Sequence, residues 1–248
     1  MADSTVLIGR NPLMEAIQQG RDIEKIFVLD SMRGELEKEV RKISKERNIP
    51  LSRVPNEKLS SLCGSRNHQG VVAFISPVIF QDLEEVLALQ FDQGKNPAIA
   101  VLEAVSDVRN MAAICRSALV FGMDAVVITS KRHAALNADT VKISAGAILN
   151  IPICREKNMQ AVIEKCKLFG LKIYATDLQG ASDISDVGLD EPCAIVMGSE
   201  DTGVSFETLK MADTRIKIPQ VSEFDSLNVS VAAGIMFYEV MRKRTINP

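Results

Sequence analysis

The sequence predicts an α/β protein with a small N-terminal α/β domain and a larger C-terminal α/β domain that contains a mostly parallel sheet. Short apolar runs alternate with helical stretches along the 248 residues. Strands that alternate with helices in this way favour a parallel sheet. The stretch 77–96 begins with Pro77, contains a helix-like segment over 82–90 and closes with a polar turn before Pro97, and we interpret it as a linker between domains. Hydrophobic residues make up 46% of the chain, which is enough for a packed core.

The first domain, residues 1–76, is predicted to hold four strands and three helices. Pro12 fits the first turn of a helix that opens at Asn11. The helix over 34–47 carries Leu36, Val40 and Ile43 on one face, which is typical of an amphipathic helix. The predicted strands are 6–8, 26–29, 51–54 and 71–75, and a third helix covers 56–63.

The second domain, residues 97–248, continues the alternation. Asn228 suits a helix N-cap because its side-chain oxygen can accept a free backbone N–H. The basic residues 242–244 suit the far end of that helix. The predicted strands are 98–102, 125–129, 151–154, 171–176, 193–197 and a strand end at 216–219, and the other helices open at Asn110 and cover 138–147 and 158–169. Periodicity alone predicts an unknotted doubly wound fold, since knots are rare.

Cysteine usage and the chain start indicate a cytoplasmic protein without metal. The five cysteines are odd in number and never form C-x-x-C, which argues for reduced thiols and against a zinc site; they are residues 63, 115, 154, 166 and 193. Met1-Ala-Asp-Ser lacks the basic start of a signal peptide. No apolar run approaches the roughly 20 residues that span a bilayer, so we expect no membrane association.

The charge balance does not by itself indicate a nucleic-acid partner. The net charge is −3, and residues 1–78 hold 12 Lys/Arg against 10 Asp/Glu, so the first domain is only mildly basic. Phosphate binding depends on a local patch and not on global charge. Taken alone, the charge favours two ordinary soluble domains.

Two polar loops follow strand ends in the last quarter of the chain, where ligands of open α/β sheets bind. The loop 198–203 has the glycine spacing of a phosphate-binding Walker loop, but Val204 stands where that motif needs Lys. No G-x-G-x-x-G motif occurs. With two histidines and no G-x-S-x-G, the chain also lacks a hydrolase triad. The backbone of a glycine-bounded loop can still hold an adenine edge or a ribose.

Three motifs follow one another in the second domain. They read Asn110-Met-Ala-Ala-Ile-Cys-Arg116-Ser with Phe121-Gly122, then Gly198-Ser-Glu200-Asp-Thr-Gly203, then Ile218-Pro219 followed by Ser226-Leu227-Asn228-Val229-Ser230. In order and spacing they resemble the motifs of the SpoU/TrmH-type (SPOUT superfamily) RNA ribose 2′-O-methyltransferases. Lys142, Ser144, Gly146 and Ala147 match an intermediate family pattern. Two departures are Ser222, where the family usually has Gly, and Asp201-Thr202.

The first domain carries a second resemblance. The runs Gly9-Arg10-Asn11-Pro12 and Asn67-His68-Gln69-Gly70-Val71 are similar to the RNA-binding domain of the 23S rRNA guanosine-2′-O-methyltransferase branch. That domain is similar to a group of RNA-binding ribosomal proteins. The resemblance implies an rRNA guanosine as substrate, with a tRNA ribose as the alternative. A non-catalytic RNA-binding module of the same fold is the other alternative, and His68 could equally be a surface or capping histidine.

The resemblance further implies a trefoil knot at the C-terminus, S-adenosylmethionine bound in the knot, and a homodimer. Ala232-Ala-Gly234 would let a second helix come close, although the same face could equally pack within one chain.

Residue roles are also implied by the resemblance. Arg116 would activate the 2′-hydroxyl, and we expect it to act electrostatically because a guanidinium is a poor base; the alternative is a surface arginine. Four further residues would form the polar network of the catalytic site, with helix capping, a turn or a solvated loop as their alternatives: Asn110, Glu200, Ser226 and Asn228. The cofactor-binding residues would be Gly198, Ile218, Leu227 and Thr176.

Overall fold

The computed structural model describes residues 6–64, 66–130, 132–180, 182–221 and 226–246, and the chain forms two compact units, Met1–Ile79 and Phe80–Pro248. The division falls within the stretch 77–96 that we expected to link the domains. Most of that stretch is folded, because strand Phe80–Gln81 and helix Leu83–Asp92 belong to the second unit. Ser222 lies outside the described residues.

The first unit is a four-stranded sheet in the order β1-β4-β2-β3. Strand β4 is antiparallel to β1 and β2, and β3 is parallel to β2. The elements are β1 (Val6–Ile8), α1 (Arg10–Gln18), β2 (Ile23–Leu29), α2 (Glu35–Glu46), β3 (Leu51–Val54), α3 (Asn56–Cys63) and β4 (Val71–Ile75). These are the four strands and three helices that the sequence predicts.

Both faces of this sheet are covered. Leu13 of α1 and Val40 of α2 pack with Ala73 on one face, whereas Leu59 of α3 packs with Val72 on the other. Neighbouring residues of β4 thus enter different cores, because successive side chains of a strand point to opposite faces.

The second unit is an eight-stranded sheet in the order β10-β12-β9-β11-β6-β7-β8-β5, and every pairing is parallel. Its strands are β5 (Phe80–Gln81), β6 (Ala98–Leu102), β7 (Ala125–Thr129), β8 (Ile153–Glu156), β9 (Lys172–Thr176), β10 (Ser182–Asp183), β11 (Cys193–Met197) and β12 (Thr214–Lys217). Its helices are α4 (Leu83–Asp92), α5 (Val108–Val120), α6 (Ala138–Ile143), α7 (Met159–Leu168), α8 (Phe206–Met211) and α9 (Val229–Ile246). The predicted parallel α/β architecture is confirmed, and the trefoil knot stays a prediction.

The strand order decides where a site can form. In a parallel sheet all carboxyl ends lie at one edge, so the loops that follow neighbouring strands meet there. Strands β12, β9, β11 and β6 are consecutive neighbours. The loops after Lys217, Thr176, Met197 and Leu102 therefore lie side by side. The second motif lies in the loop after β11 and the third motif begins after β12, whereas the loop after Leu102 leads into α5, which carries the first motif.

Two helix starts test the capping predictions. Asn228 caps α9 as predicted, since its Oδ1 accepts from Ser230 N at 2.9 Å. Helix α5 begins at Val108 and not at Asn110, because Asp107 is its N-cap and accepts from Arg109 N at 2.8 Å and Asn110 N at 2.9 Å. The capping alternative for Asn110 is therefore wrong.

The small residues of α9 serve packing within the chain. Ala233 is fully buried. A Cβ added to Gly234 would lie 3.8 Å from Ser117 Oγ of α5, and Phe121 and Tyr238 meet edge to face, with centroids 5.9 Å apart. The segment 232–234 thus lets α9 approach α5 within one chain.

The far end of α9 is fastened to the opposite, amino-terminal edge of the sheet. The Arg244 guanidinium donates to the carbonyls of Leu189 and Glu191, both at 2.9 Å, and to that of Asn96, just before β6. Lys243 Nζ donates to Ser185 O at 2.7 Å. These carbonyls belong to the segments before β6 and β11. The basic end of α9 thus binds loops of the sheet, an interaction more specific than the helix-dipole effect expected from sequence.

We expect Arg244→Met to lower the free energy of unfolding by about 2–4 kcal/mol, because hydrogen bonds from a charged donor are lost and several carbonyls are left unpaired. Arg242→Met is the matched control. Among the described residues Arg242 bonds to Glu239 alone, on its own helix, so its loss should cost about 0.5 kcal/mol. Urea unfolding of both variants tests this, and equal losses would contradict the fastening role of Arg244.

Candidate functional site

The loop after β11 is closed on itself. Gly203 N donates to Ser199 O at 2.9 Å, and Ser199 Oγ lies 2.9 Å from Thr202 Oγ1. A Cβ built on Gly198 would lie 1.9 Å from the carbonyl carbon of Gly203 and 2.2 Å from Val204 N. No side chain fits at Gly198 without moving the main chain, so this position requires glycine. The backbone of the loop is therefore not covered by a side chain at this point.

The loop after β9 is held just as closely. Asp177 N donates to Ile216 O at 2.9 Å, which joins this loop to β12. A Cβ on Gly180 would meet Asp177 O and the carbonyl carbon of Ile216, both at 2.9 Å. The sequence reading missed Gly180, although a glycine four residues after a strand end was a usable signal.

Asn228 joins the first and second motifs to the third. Its Nδ2 donates to Asn110 Oδ1 of α5 at 3.2 Å and to Glu200 Oε1 in the β11 loop. Its Oδ1 accepts from Ser230 N at 2.9 Å and from Ser230 Oγ at 2.6 Å. One amide therefore caps α9 and holds an exposed carboxylate beside an amide oxygen. The structure thus brings together three of the predicted polar residues: Asn110, Glu200 and Asn228.

The remaining predicted residues surround this cluster without hydrogen bonding to it. Gly198 and Thr176 lie at the ends of adjacent strands, β11 and β9, and Ile218 directly follows β12. Ser226 and Leu227 are exposed in the segment that leads to Asn228. The predicted cofactor contacts therefore lie on the row of loops at the carboxyl edge.

Arg116 stands apart from the cluster. It lies six residues after Asn110, which is about 9 Å along a helix axis. Its side chain is exposed and makes no hydrogen bond or ion pair with any residue that the structure describes. Its guanidinium is therefore available to a ligand or to a second chain.

Glu103 is a residue that the sequence reading missed. It directly follows β6, and its carboxylate accepts from Ser205 N at 2.9 Å, Ser205 Oγ at 2.8 Å and Thr208 Oγ1 at 3.0 Å. Ser205 is the N-cap of α8, the helix that follows the β11 loop. Glu103 therefore holds the last residues of this loop in place, and Gly198 holds the first. Its only signal in the sequence was an acidic residue directly after a buried strand.

The thiols offer no nucleophile. All five cysteines are free and buried, and burial raises the pKa of Cys115, in the helix that carries Arg116, to about 12. Among the described residues no group of His, Cys, Asp and Glu side chains could hold a metal ion. The same part of the chain contains no helix long and apolar enough to cross a membrane.

Two loops at the carboxyl edge of the parallel sheet contain glycines that no other residue can replace, and they lie beside the Asn110–Glu200–Asn228 cluster. This arrangement is typical of the ligand-binding site of an α/β enzyme. Residues 97–238 match the SpoU rRNA methylase family, and residues 6–81 match the RNA 2′-O ribose methyltransferase substrate-binding domain. The chain belongs to the SpoU methylase family, so it is an RNA methyltransferase. The resemblance seen in the three motifs is confirmed; the 23S rRNA branch within the family is not distinguished.

Relatives resemble the whole chain. Two of them, from Staphylococcus haemolyticus and Staphylococcus saprophyticus, are named as TrmH-family tRNA/rRNA methyltransferases. They are 35% and 36% identical to this chain, each over 98% of this chain and 97% of the relative.

Solved structures share its fold. An AdoMet-bound rRNA methyltransferase of Sinorhizobium meliloti has a TM-score of 0.60 at 23% identity, over 96% of this chain and 87% of that one. The SpoU methyltransferase AviRb of Streptomyces viridochromogenes, in complex with AdoMet, has a TM-score of 0.61 at 19% identity, over 97% and 90%. The A. aeolicus TrmH/SpoU tRNA modifying enzyme has a TM-score of 0.56 at 29% identity, over 66% and 85%.

The role of Glu103 is testable without a ligand. We expect Glu103→Gln to lower the free energy of unfolding by about 1–3 kcal/mol, because an NH₂ group replaces an acceptor and faces donors. Glu207→Gln is the control: Glu207 is exposed in the first turn of the same helix, α8, and its loss should cost about 0.5 kcal/mol. In the Glu103→Gln background, Ser205→Ala should cost less than in the native chain. Additive losses would show that the two residues do not form one network.

The two roles of Asn228 can be separated by Asn228→Asp. Aspartate caps a helix as well as asparagine does, so the cap of α9 should be kept, and any loss of thermal stability should come from the exposed contact with Glu200 and stay below about 1 kcal/mol. It has no amide donor and sets a second carboxylate beside Glu200, so the rate of methyl transfer to RNA should fall about 100-fold or more. Asn158→Asp makes the same exchange at the N-cap of α7 and should change neither quantity. If Asn228→Asp kept the native rate, the cluster would be structural only.

Proposed function

We propose that the protein transfers the methyl group of S-adenosylmethionine to a ribose 2′-hydroxyl of RNA, with a guanosine of 23S rRNA as the substrate. The observation that carries the proposal is the bond network of Asn228 with Asn110 and Glu200, at the edge of the sheet where the two glycine-containing loops lie. The name of the matched N-terminal domain, which specifies ribose 2′-O methylation, supports the reaction type.

The loops fit the cofactor. An adenosine needs close backbone approach, and the positions of Gly198 and Gly180 exclude any side chain. Gly198, Thr176, Ile218 and Leu227 would hold the cofactor, and the AdoMet-bound structures of S. meliloti and S. viridochromogenes support S-adenosylmethionine as that cofactor. When bound, S-adenosylmethionine supplies an activated methyl group on a sulfonium.

The polar cluster would hold the substrate. Asn110 Oδ1 and the Glu200 carboxylate can accept from ribose hydroxyls, and Ser226 lies in the same exposed segment as Asn228. Alignment of a hydroxyl with an electrophile accounts for a large part of such a rate acceleration. Arg116, which pairs with no described residue, would stabilise the alkoxide that develops on the 2′-oxygen.

We also propose that the protein acts as a homodimer. Helices α5 and α9 pack against each other, and both expose apolar side chains: Leu119, Val120, Val231, Ile235 and Tyr238. Exposed apolar side chains gathered on two packed helices would form an interface if they make one patch. Sedimentation should show a dimer at micromolar concentration, and a monomer alone would contradict it.

The first unit would bind the RNA, as the match to the substrate-binding domain supports. The second candidate substrate is a tRNA ribose, favoured by the similarity to the A. aeolicus tRNA modifying enzyme. Mapping ribose methylation in total RNA from a deletion strain separates them. Loss of one methylated guanosine in 23S rRNA supports the proposal, and loss of a tRNA methylation replaces it with the alternative.

Arg116→Ala should lower the single-turnover rate of methyl transfer about 100- to 1,000-fold, because its charge would act only as the alkoxide forms. Calorimetric binding of S-adenosylmethionine and thermal stability should change little. Arg116→Lys keeps the charge, loses the planar fork and should rescue little. The substrate is RNA from the deletion strain, and Arg242→Ala, at the far end of α9, is the control. A near-native rate for Arg116→Ala would show that it is a surface residue.

A further inference from the structure

An open groove of about 720 Å³ lies where the N-terminus of α5 meets α6. Its lining residues are Ser106, Asp107, Val108, Arg109, Asp139, Lys142 and Ile143. One of these lining residues, Arg109, directly precedes Asn110 in α5. Its volume falls in the range of clefts that hold small ligands, which is enough for a nucleotide.

The walls of the groove are firmly built. Ala134 N donates to Val105 O at 2.9 Å, which joins the loop before α6 to the loop before α5. Asn137 caps α6 by accepting from Asp139 N at 3.0 Å and Thr140 N at 3.1 Å, and Thr140 Oγ1 in turn accepts from Asn137 N. Both sides of the groove therefore begin with a capped helix.

The four charged side chains of the groove differ in how they are compensated. Asp107 accepts two backbone N–H groups, and Asp139 lies in the first turn of α6, so a helix N-terminus stabilises each carboxylate. Arg109 and Lys142 are exposed, and neither forms a side-chain hydrogen bond or ion pair with any other described residue. The groove thus contains two cations, Arg109 and Lys142, that no described residue neutralises by a direct contact.

We propose that this groove is a subsite for the RNA strand next to the methylated nucleotide, in which Arg109 and Lys142 each bind a backbone phosphate. The inference rests on the proposed function, since it places the strand beside Asn110. Exposed Ile143 and half-buried Val108 offer apolar surface to a ribose or base between the two phosphates. An open groove of this kind suits a single strand with splayed bases, the usual form in which RNA is read.

Salt dependence of RNA binding tests the subsite. The probe is a labelled 20-nucleotide oligouridine, which presents single-stranded phosphates without sequence preference. Each phosphate contact contributes about 0.7 to the slope of log K against log salt for a single strand. Arg109→Gln and Lys142→Gln should each lower the slope by about 0.7, and the double variant by about 1.4. Arg109→Lys should keep the native slope.

Lys95→Gln is the matched control. Lys95 is exposed and precedes β6, so it lies at the opposite edge of the sheet. Removing its charge should leave the slope unchanged. If Lys95→Gln lowered the slope as much as Lys142→Gln, the effect would be one of general charge and the subsite would be refuted. Native slopes for both groove variants, or no binding of the probe by the native protein, would also refute it.

The reaction itself separates this proposal from the proposed function. If the groove variants methylate RNA with a native KM, the proposed subsite is refuted and the proposed methyltransferase activity is retained. Reduced salt slopes in a protein that transfers no methyl group to RNA would keep the subsite and remove the activity. Supporting results are reduced slopes together with a raised KM for RNA, an unchanged affinity for S-adenosylmethionine and a native melting temperature.

Discussion

The side-chain amide of Asn228 is the contact on which the geometry of the site depends. Its oxygen caps α9, and its nitrogen bonds to Asn110 at the start of α5 and to Glu200 in the loop after β11. These segments are far apart in sequence but follow strands near one another in the sheet. Arg244 binds the other end of α9 to the amino-terminal edge, so the helix runs from one edge of the sheet to the other. This fixes the position of the Asn228 amide at the carboxyl edge.

Backbone closure is the second constraint. Gly198 and Gly180 each stand where a Cβ would strike the main chain of a neighbouring segment. Their loops are thus shaped by contacts between backbones, and side chains are excluded from their surface. Glu103 completes the arrangement by binding the N-terminus of α8, which follows the same loop. Rigid loops of this type bind a ligand with a small loss of conformational entropy.

Sequence reasoning reached the parallel α/β fold and the Asn228 cap through local signals, whereas Asn110 and Glu200 were implied as members of the polar cluster by the resemblance to the SpoU/TrmH-type enzymes. Apolar runs of five residues predict buried strands, and Asn228 before an apolar helix predicts a cap. It failed where the deciding contact is non-local. Asp107 caps α5 in place of Asn110, and an acidic residue three positions earlier is an equally good cap by pattern alone. Glu103 reaches residues about a hundred positions later. Strands of two residues, β5 and β10, have no period to detect.

The acidic net charge is reconciled with an RNA substrate by the way cations are paired. Many basic side chains of the second unit are bound to protein partners: Lys165 to Glu156 at 2.9 Å, Lys167 to Asp213 at 3.4 Å, and Arg244 to carbonyl groups. Those charges hold the fold together and are unavailable to phosphate. Arg109, Arg116 and Lys142 lack such partners among the described residues, and all three belong to α5 or the helix beside it. Anions respond to this local field within about 8–10 Å and not to the total charge. A chain with a charge of −3 can therefore offer phosphates three cations on α5 and α6 that pair with no described residue.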